Sequence, residues 1–401
     1  MKLNVKRTFR FYPSEPQKRI LAQTFGCVRV AYNSALRLRM DSFEAGKPIN
    51  YNTSSAALTA QKKLPEFAYL KEVSCIPLQQ ALRHLQTAYS NFFAKRARFP
   101  RFKTRNDRQS AEYTTSGFKW DAHNKNLTIA KLGRLRVKWS RAIQGKPSTV
   151  TIVKTPDGRY FVTLNLEESV SPLPKTGKEV GIDLGISRLA TLSNGERVPN
   201  PRHTSKRAAR LAFLQRRLAR KAKGSNRRKR AVLKVARCHA KIANSRKDTL
   251  DRLTTRLVRE FDVIAIEDLN VRGMVKHPTL SKHIACASFG AFRQMLTYKC
   301  LWYGKELRLA DRFFPSSKRC SCCGFTVAKL PLDVRSWTCP ECGEVLDRDE
   351  NAARNILKFA KATTGGHSGS NGRGERVSRK PASAGRRYVL RSVNQPALCD
   401  V

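Results

Sequence analysis

At 401 residues with 40% hydrophobic content, the chain can bury two or three cores and is a folded protein, not a charged tail. Lys and Arg number 79 against 30 Asp and Glu, and a formal charge of +49 would repel itself without a polyanion. Nucleic acid is therefore the expected partner, bound largely through its phosphates, with a cationic membrane-surface or ribosome-associated protein as the competing reading. The N-terminus has no apolar core of a secretory signal and no run reaches 18 apolar residues, which argues against secretion and membrane spanning.

In chain order, residues 2–12 intersperse Leu3, Val5, Phe9 and Phe11 with polar residues and read as a strand. Pro13 and Pro16 break it. Helical spacing follows over 17–39 (Ile20, Leu21, Phe25, Val28, Ala31, Tyr32, Ala35, Leu36) and over 76–94, with a short helix expected at 52–62 between them. This helical stretch interrupts a β segment. Short strands are expected at 127–129, 135–137, 149–154 and 160–166, and turn signals such as Pro156-Asp157-Gly158 point to a small β barrel or sandwich. Before them, 98–105 interleaves aromatics with cations; Phe99 and Phe102 suit base stacking and a β core equally well.

A Ser/Pro/Gly linker at 171–177 precedes strands at 179–184 and 189–192. Next comes a long helical stretch, 205–260, broken near Gly224, with Leu211, Leu214 and Leu218 as one apolar seam and Val232, Val235, Ala236, Ile242, Leu250, Leu253 and Leu257 as the other. Between Lys206 and Lys247 stand 17 Lys or Arg and no acid. A solvated helix face mixes signs, so this hairpin is expected to contact phosphates. The apolar run 263–266 reads as a strand buried on both faces. A helix at 289–303, a strand at 307–310 and a helix at 351–360 follow, and the Gly-, Ser- and Arg-rich stretch 363–401 reads as a disordered basic tail.

Eleven cysteines are an odd number, and four of them form paired C-x-x-C units, which fits reduced thiols and a bound metal better than disulfides. Cys320-x-x-Cys323 and Cys339-x-x-Cys342, 15 residues apart and each followed by Gly, have the spacing of a four-cysteine zinc ribbon. Four thiolates leave no open position, so such a zinc is structural. Cys322 is an extra thiol inside the first unit. Cys27, Cys75, Cys238, Cys286 and Cys300 are expected as buried small hydrophobes.

Three acids stand against hydrophobic elements: Asp183 after Val180 and Ile182, Glu267 after Val263 to Ile266, and Asp349 opening an Ala-rich helix. Singly, each reads equally as a cap or strand-end charge. Together they can converge on two Mg²⁺ ions, about 4 Å apart in such sites, for phosphodiester chemistry without a covalent nucleophile. Asp347 competes with Asp349 for the third position, and Asp268 is another nearby acid.

The ordered motifs Gly181-Ile-Asp-Leu-Gly-Ile186, Ile266-Glu-Asp-Leu269, Phe314-Pro-Ser-Ser-Lys-Arg-Cys-Ser-Cys-Cys-Gly324, the second C-x-x-C and Asp347-Arg-Asp-x-Asn-Ala-Ala-x-Asn-Ile356 resemble the TnpB family, as do Phe11-Tyr-Pro13, 25–33 and 99–103. TnpB proteins are transposon-encoded RNA-guided DNA endonucleases related to type V CRISPR effectors. The resemblance spans 1–360. It implies an α+β multidomain protein: a wedge-like β-barrel (1–14 and 98–172), a helical recognition insertion (15–97), and a RuvC-like RNase H-fold nuclease domain (177–314 and 345–362) carrying the basic hairpin 205–260. A zinc-ribbon, target-nucleic-acid-binding module at 315–344 interrupts that domain. It further implies Asp183, Glu267 and Asp349 as Mg²⁺-binding catalytic acids and Cys320, Cys323, Cys339 and Cys342 as ligands of one zinc. The implied partners are a guide RNA from the transposon end and a double-stranded DNA target with a short flanking motif, in a bacterial or archaeal cytosol beside the nucleoid, with neither membrane nor small-molecule substrate. A transposase or recombinase using the same acids, or a non-catalytic nucleic-acid-binding regulator, are the alternative functions.

Overall fold

A computed structural model describes residues 2–331 and 333–362, which leaves the expected basic tail at 363–401 outside the described residues. The described residues divide into two compact units, 2–169 and 170–362.

In the first unit, β1 (Lys2–Phe11) leads into α1 (Glu15–Glu44), α2 (Tyr51–Gln61) and α3 (Cys75–Phe93). Ser14 starts α1 with a capping box: its hydroxyl accepts from the Gln17 N–H, and the Gln17 side chain accepts from the Ser14 N–H. The helix runs further than its apolar periodicity suggests because it serves two cores. Leu21 and Phe25 enter the β core, whereas Cys27 to Leu36 pack with Leu58, Leu78, Leu82 and Leu85 from α2 and α3.

The strands that follow are β2 (Gln109–Thr114), β3 (Phe118–Asp121), β4 (Asn126–Ile129), β5 (Gly133–Arg134), β6 (Val137–Lys138), β7 (Pro147–Lys154) and β8 (Tyr160–Ser169). They form a five-stranded antiparallel sheet, β2-β7-β8-β1-β6, and a three-stranded one, β3-β4-β5, around a shared core. Two strands escape the sequence reading. β2 is mostly polar and buries only Ala111 and Tyr113, and β3 buries only Phe118, so neither has a hydrophobic run to betray it. The strand expected at 135–137 lies instead as the short pairs β5 and β6 on either side of Leu135.

The second unit opens with β9 (Glu179–Asp183), β10 (Arg188–Leu192) and β11 (Arg197–Pro199), then α4 (His203–Lys206), α5 (Ala208–Ala219) and α6 (Asn226–Glu260). β12 (Val263–Glu267), α7 (Val271–Met274), α8 (Ser281–Ala287), α9 (Phe289–Tyr303) and β13 (Glu306–Ala310) follow. A β14–β15 hairpin (Ser336–Thr338 and Val345–Asp347) and α10 (Arg348–Ala362) complete it. The sheet order is β11-β10-β9-β12-β13, with β9, β12 and β13 parallel and β10 and β11 antiparallel.

Side chains alternate across a strand, and that period decides the architecture. Val180, Ile182, Ile264 and Ile266 face a core built with Leu250, Leu253 and Leu257 of α6 and Phe289, Phe292 and Leu296 of α9. Gly181 and Ala265, which are register partners, face the other way. There α10 lies on the sheet through Ala353, Ile356 and Ala360. A Cβ on Gly181 would stand 2.0 Å from the Ala353 carbonyl oxygen, so only glycine admits the helix. No helix among the described residues is long and apolar enough to cross a membrane.

Candidate active site and metal centre

The same alternation places the acids. Asp183 shares the face of Gly181 and Glu267 that of Ala265, so both point to the side that α10 covers. The last parallel pair between β9 and β12 is Ile182 with Ile266, and each acid follows its member directly. On α10, Asp349 lies three, four and seven residues before Ala352, Ala353 and Ile356, and so on the helix face that meets the sheet. Asp183 and Glu267 thus stand at the carboxyl ends of adjacent parallel strands, where open α/β sheets bind their ligands, with Asp349 near enough to act on the Asp183 charge.

Electrostatics record the meeting. The Asp183 carboxyl is pushed up to about 8, first by burial and then by the negative charges of Glu267 and Asp349, with Arg348 and Arg335 opposing. Glu267 is held by the Ser316 hydroxyl, which donates to its Oε1 at 2.5 Å. The Arg335 guanidinium stands 3.5 Å from Asp349 Oδ1, and Arg188 Nη1 stands 3.8 Å from its Oδ2. The two arginines carry no sequence signal of their own among 79 cations, whereas Ser316 stands in the Phe314-Pro-Ser-Ser motif without a role that the sequence assigns.

Asp347 and Asp268, the neighbouring acids, have other partners. Asp347 Oδ1 accepts the backbone N–H groups of Asp349 and Glu350 at 3.1 and 3.0 Å, which makes it the N-cap of α10, and Arg197 holds its Oδ2 at 2.9 Å. Asp268 is ion-paired with Arg293 and, at 2.9 Å, with Arg312.

A second cluster lies in the segment between β13 and α10. The Sγ atoms of Cys320, Cys323, Cys339 and Cys342 all lie within 4.8 Å of one another, with Cys320–Cys342 at 3.7 Å and Cys323–Cys339 at 3.6 Å. Tetrahedral bonds of about 2.3 Å to zinc require sulfur separations near these values, so the donor set fits that ion. Gly324 (φ +85°) and Gly343 (φ +71°) turn the two knuckles back, each donating its N–H to the carbonyl of the first cysteine. Cys322 stays outside the cluster and exposed; its N–H donates to Cys320 Sγ. Of the five other cysteines expected to be buried, Cys27, Cys238 and Cys300 are, but Cys286 is only half-buried and Cys75, at the exposed start of α3, is not.

The cysteine module is fastened to α10. Asn351 donates to the Arg319 carbonyl and accepts from the Ser321 N–H, and Asn355 donates to the Ser316 and Arg319 carbonyls. Both asparagines are almost wholly buried. The α5–α6 hairpin closes through Leu211, Leu214, Val235, Cys238 and Ile242. None of its 17 cations between Lys206 and Lys247 forms an ion pair among the described residues.

Residues 160–277 match a family described as a probable transposase and residues 289–356 a Cas12f1-like TNB domain. Residues 1–48 match a helix-turn-helix domain, although here they form β1 and the unbroken α1. The chain is 50% identical over 396 residues to a protein of Streptomyces pristinaespiralis named as an RNA-guided DNA endonuclease, across 97% of this chain and 96% of that one. It is 34% identical over 371 residues to InsQ of Escherichia coli K12, named in the same way, across 88% and 92%. Among solved structures, the Cas12f1 chain of a complex with single guide RNA and target DNA shares the fold, with a TM-score of 0.59 at 12% identity over 89% of this chain and 99% of that one.

Proposed function

This chain belongs to the TnpB family of transposon-associated RNA-guided DNA endonucleases, and on that premise we propose that Asp183, Glu267 and Asp349 form its DNA-cleaving site. The convergence of the three acids under α10 carries the assignment, with the upward push on Asp183 as its electrostatic mark. Arg335 and Arg188 offset the charge of Asp349 only in part, since Asp183 is still pushed up by its acidic neighbours, and hard oxygen donors that repel one another fit divalent Mg²⁺. Two Mg²⁺ ions, when bound, supply the polarisation of the attacking water and of the leaving 3′ oxygen.

The remaining work belongs to side chains. Ser316 fixes the Glu267 carboxylate by occupying one of its oxygens. Arg335 and Arg188 flank Asp349, one at each carboxylate oxygen, and orient it. Asp347 anchors the start of that helix, so Asp349 rather than Asp347 is the third ligand. With its carboxyl pushed up to about 8, Asp183 favours the protonated form at neutral pH when no cation is bound.

The guide RNA and the double-stranded DNA target are the partners, and the unpaired cations of α5 and α6 are a phosphate-binding surface for them. The helices within 15–97 serve as the recognition insertion between the wedge strands, and 177–314 with 345–362 as the nuclease domain. One zinc held by Cys320, Cys323, Cys339 and Cys342 fixes the module at 315–344 structurally.

The test compares wild type with Asp183→Ala and Glu267→Ala, each loaded with its copurifying RNA, on a matched DNA target with Mg²⁺. Loss of cleavage with RNA and target binding kept near wild type supports the site; cleavage surviving both changes refutes it. The transposase description matched by 160–277 supports a second reading, strand transfer by the same acids. End joining by RNA-free protein would favour it.

A further inference from the structure

Of the two aromatics at 98–105 that the sequence leaves open between core and stacking, Phe99 resolves into neither a β core nor an isolated ring. Phe99 folds back onto the end of α3, edge-on to Tyr89 (centroids 5.6 Å, 89°) and to Phe92 (5.3 Å, 86°). Phe93, the last residue of α3, lies nearly parallel to Tyr89 one turn earlier, at 6.2 Å and 21°. Tyr89 is buried, whereas Phe93 is 73% exposed. Four rings are thus locked against one another, and the outermost presents an open face.

A single exposed phenylalanine needs no explanation. This one stands in a field of a single sign. From Val73 to Asn106 the chain has no acid and carries Arg83, Lys95, Arg96, Arg98, Arg101, Lys103 and Arg105. Lys95 adopts the left-handed conformation (φ 54°) beyond the α3 C-terminus, and the N–H groups of Lys95 and Arg96 bond back to Phe92 and Asn91. Lys95, Arg96 and Arg98, all exposed, follow Phe93 within five residues through that turn. Among the described residues, Lys95, Arg96, Arg98 and Arg105 have no acidic partner; Arg101 reaches Asp107 at 3.4 Å.

A π face rimmed by unpaired cations is complementary to one class of ligand, a base attached to phosphates. We propose that Phe93 stacks on an unpaired nucleobase of a strand whose phosphates lie on Lys95, Arg96 and Arg98. This rests on the reading of the chain as a nucleic-acid enzyme, but it assigns a contact away from the acids. Tyr89, Phe92 and Phe99 fix the tilt of the stacking ring, so the contact pays little ordering entropy.

The experiment uses the full chain with 5-iodouracil-substituted single strands of RNA and of DNA of one sequence, photocrosslinked and mapped by peptide mass spectrometry. The expected result is an adduct on Phe93 with the strand that occupies the site, RNA or DNA. The adduct disappears in Phe93→Ala, and Phe93→Trp restores binding. Stacking contributes about 1–3 kcal/mol per base, so Phe93→Ala weakens that strand about 5- to 150-fold with its salt slope unchanged, whereas Arg96→Ala and Arg98→Ala flatten the slope. The exposed ring leaves the thermal midpoint of Phe93→Ala at the wild-type value. Crosslinks that fall elsewhere with both strands, with Phe93→Ala binding as wild type, overturn this inference alone. Wild-type protein that binds neither strand overturns the nuclease reading together with it.

Discussion

Asp347 and Asp349 are two residues apart, and their sequence surroundings do not separate them. The proposed choice of Asp349 draws its support from the geometry: the Asp347 carboxylate caps the helix with one oxygen and holds Arg197 with the other. The two alanine variants should therefore fail differently. Asp347→Ala should lower stability by about 1 kcal/mol, the cost of a lost cap, and keep measurable cleavage. Asp349→Ala should leave the denaturation midpoint near wild type and reduce cleavage about 1,000-fold, the several kcal/mol that a metal-binding acid supplies. Denaturant melts and single-turnover cleavage on the same preparations check both; equal cleavage by the two variants would refute the distinction. Gly181 is the complementary case. A Cβ there meets backbone, which cannot swing away like a side-chain tip. Gly181→Ala should cost about 1–3 kcal/mol or more in a chemical melt and cleavage with it, although no catalytic atom is touched.

Elements were legible where burial was two-sided or periodic. β12 showed as an unbroken apolar run, α9 as the helix expected at 289–303, and the cysteine knuckles declared themselves by spacing. β2 and β3 stayed hidden because pairing, not hydrophobicity, makes them strands: β2 finds its partner in β7 and β3 in β4. The roles of Ser316 and Arg335 were hidden for a related reason, since their partners lie 49 and 14 residues away along the chain. Because the knuckles are bonded to Asn351 and Asn355, metal loss should not stay local. Chelation should release zinc, loosen 315–344 and slow cleavage even with Mg²⁺ in excess, and added zinc should restore the rate. Unchanged cleavage by protein shown zinc-free by metal analysis would contradict that coupling. A second junction is acid-sensitive. Asp262 accepts from the N–H groups of Thr176 and Gly177 and from buried Lys305, and these hydrogen bonds, led by Lys305, hold its carboxyl down at about 2. A depressed carboxyl favours the fold above the ordinary Asp range and loses that contribution as pH falls toward 2. Asp262→Asn should therefore flatten the stability profile between about pH 4 and 2; an unchanged acid limb in the melts would contradict it.

Across the whole molecule the excess of 49 positive charges is the dominant fact, and the structure gives it a location. Acids elsewhere are mostly engaged: Glu168 with Arg7, Asp157 with Arg159, Glu196 with Arg256. The hairpin between Lys206 and Lys247 has no such partners among the described residues. Changing four of its exposed cations, Arg227, Lys229, Arg230 and Lys234, to Gln should reduce the salt slope of nucleic-acid binding by about 3–4, on the rule of about 0.9 per phosphate, and leave the thermal midpoint unchanged. Binding titrations from 50 to 200 mM salt check this, and an unaltered slope would remove the hairpin from the interface.

The hairpin also extends well beyond what it needs for packing. Only the C-terminal part of α6, from Leu250 onward, serves the sheet core, and the turn at 220–225 around Gly224 (φ +84°) lies some 24 residues earlier, about 36 Å along the axis. Nothing lies within 4 Å of a Cβ built on Gly224. Loop closure costs rise slowly with length, so that tip is a natural splice point. A fluorescent reporter or a second effector domain grafted there would ride on a stiff arm, spaced from the cutting chemistry by the length of the helix itself.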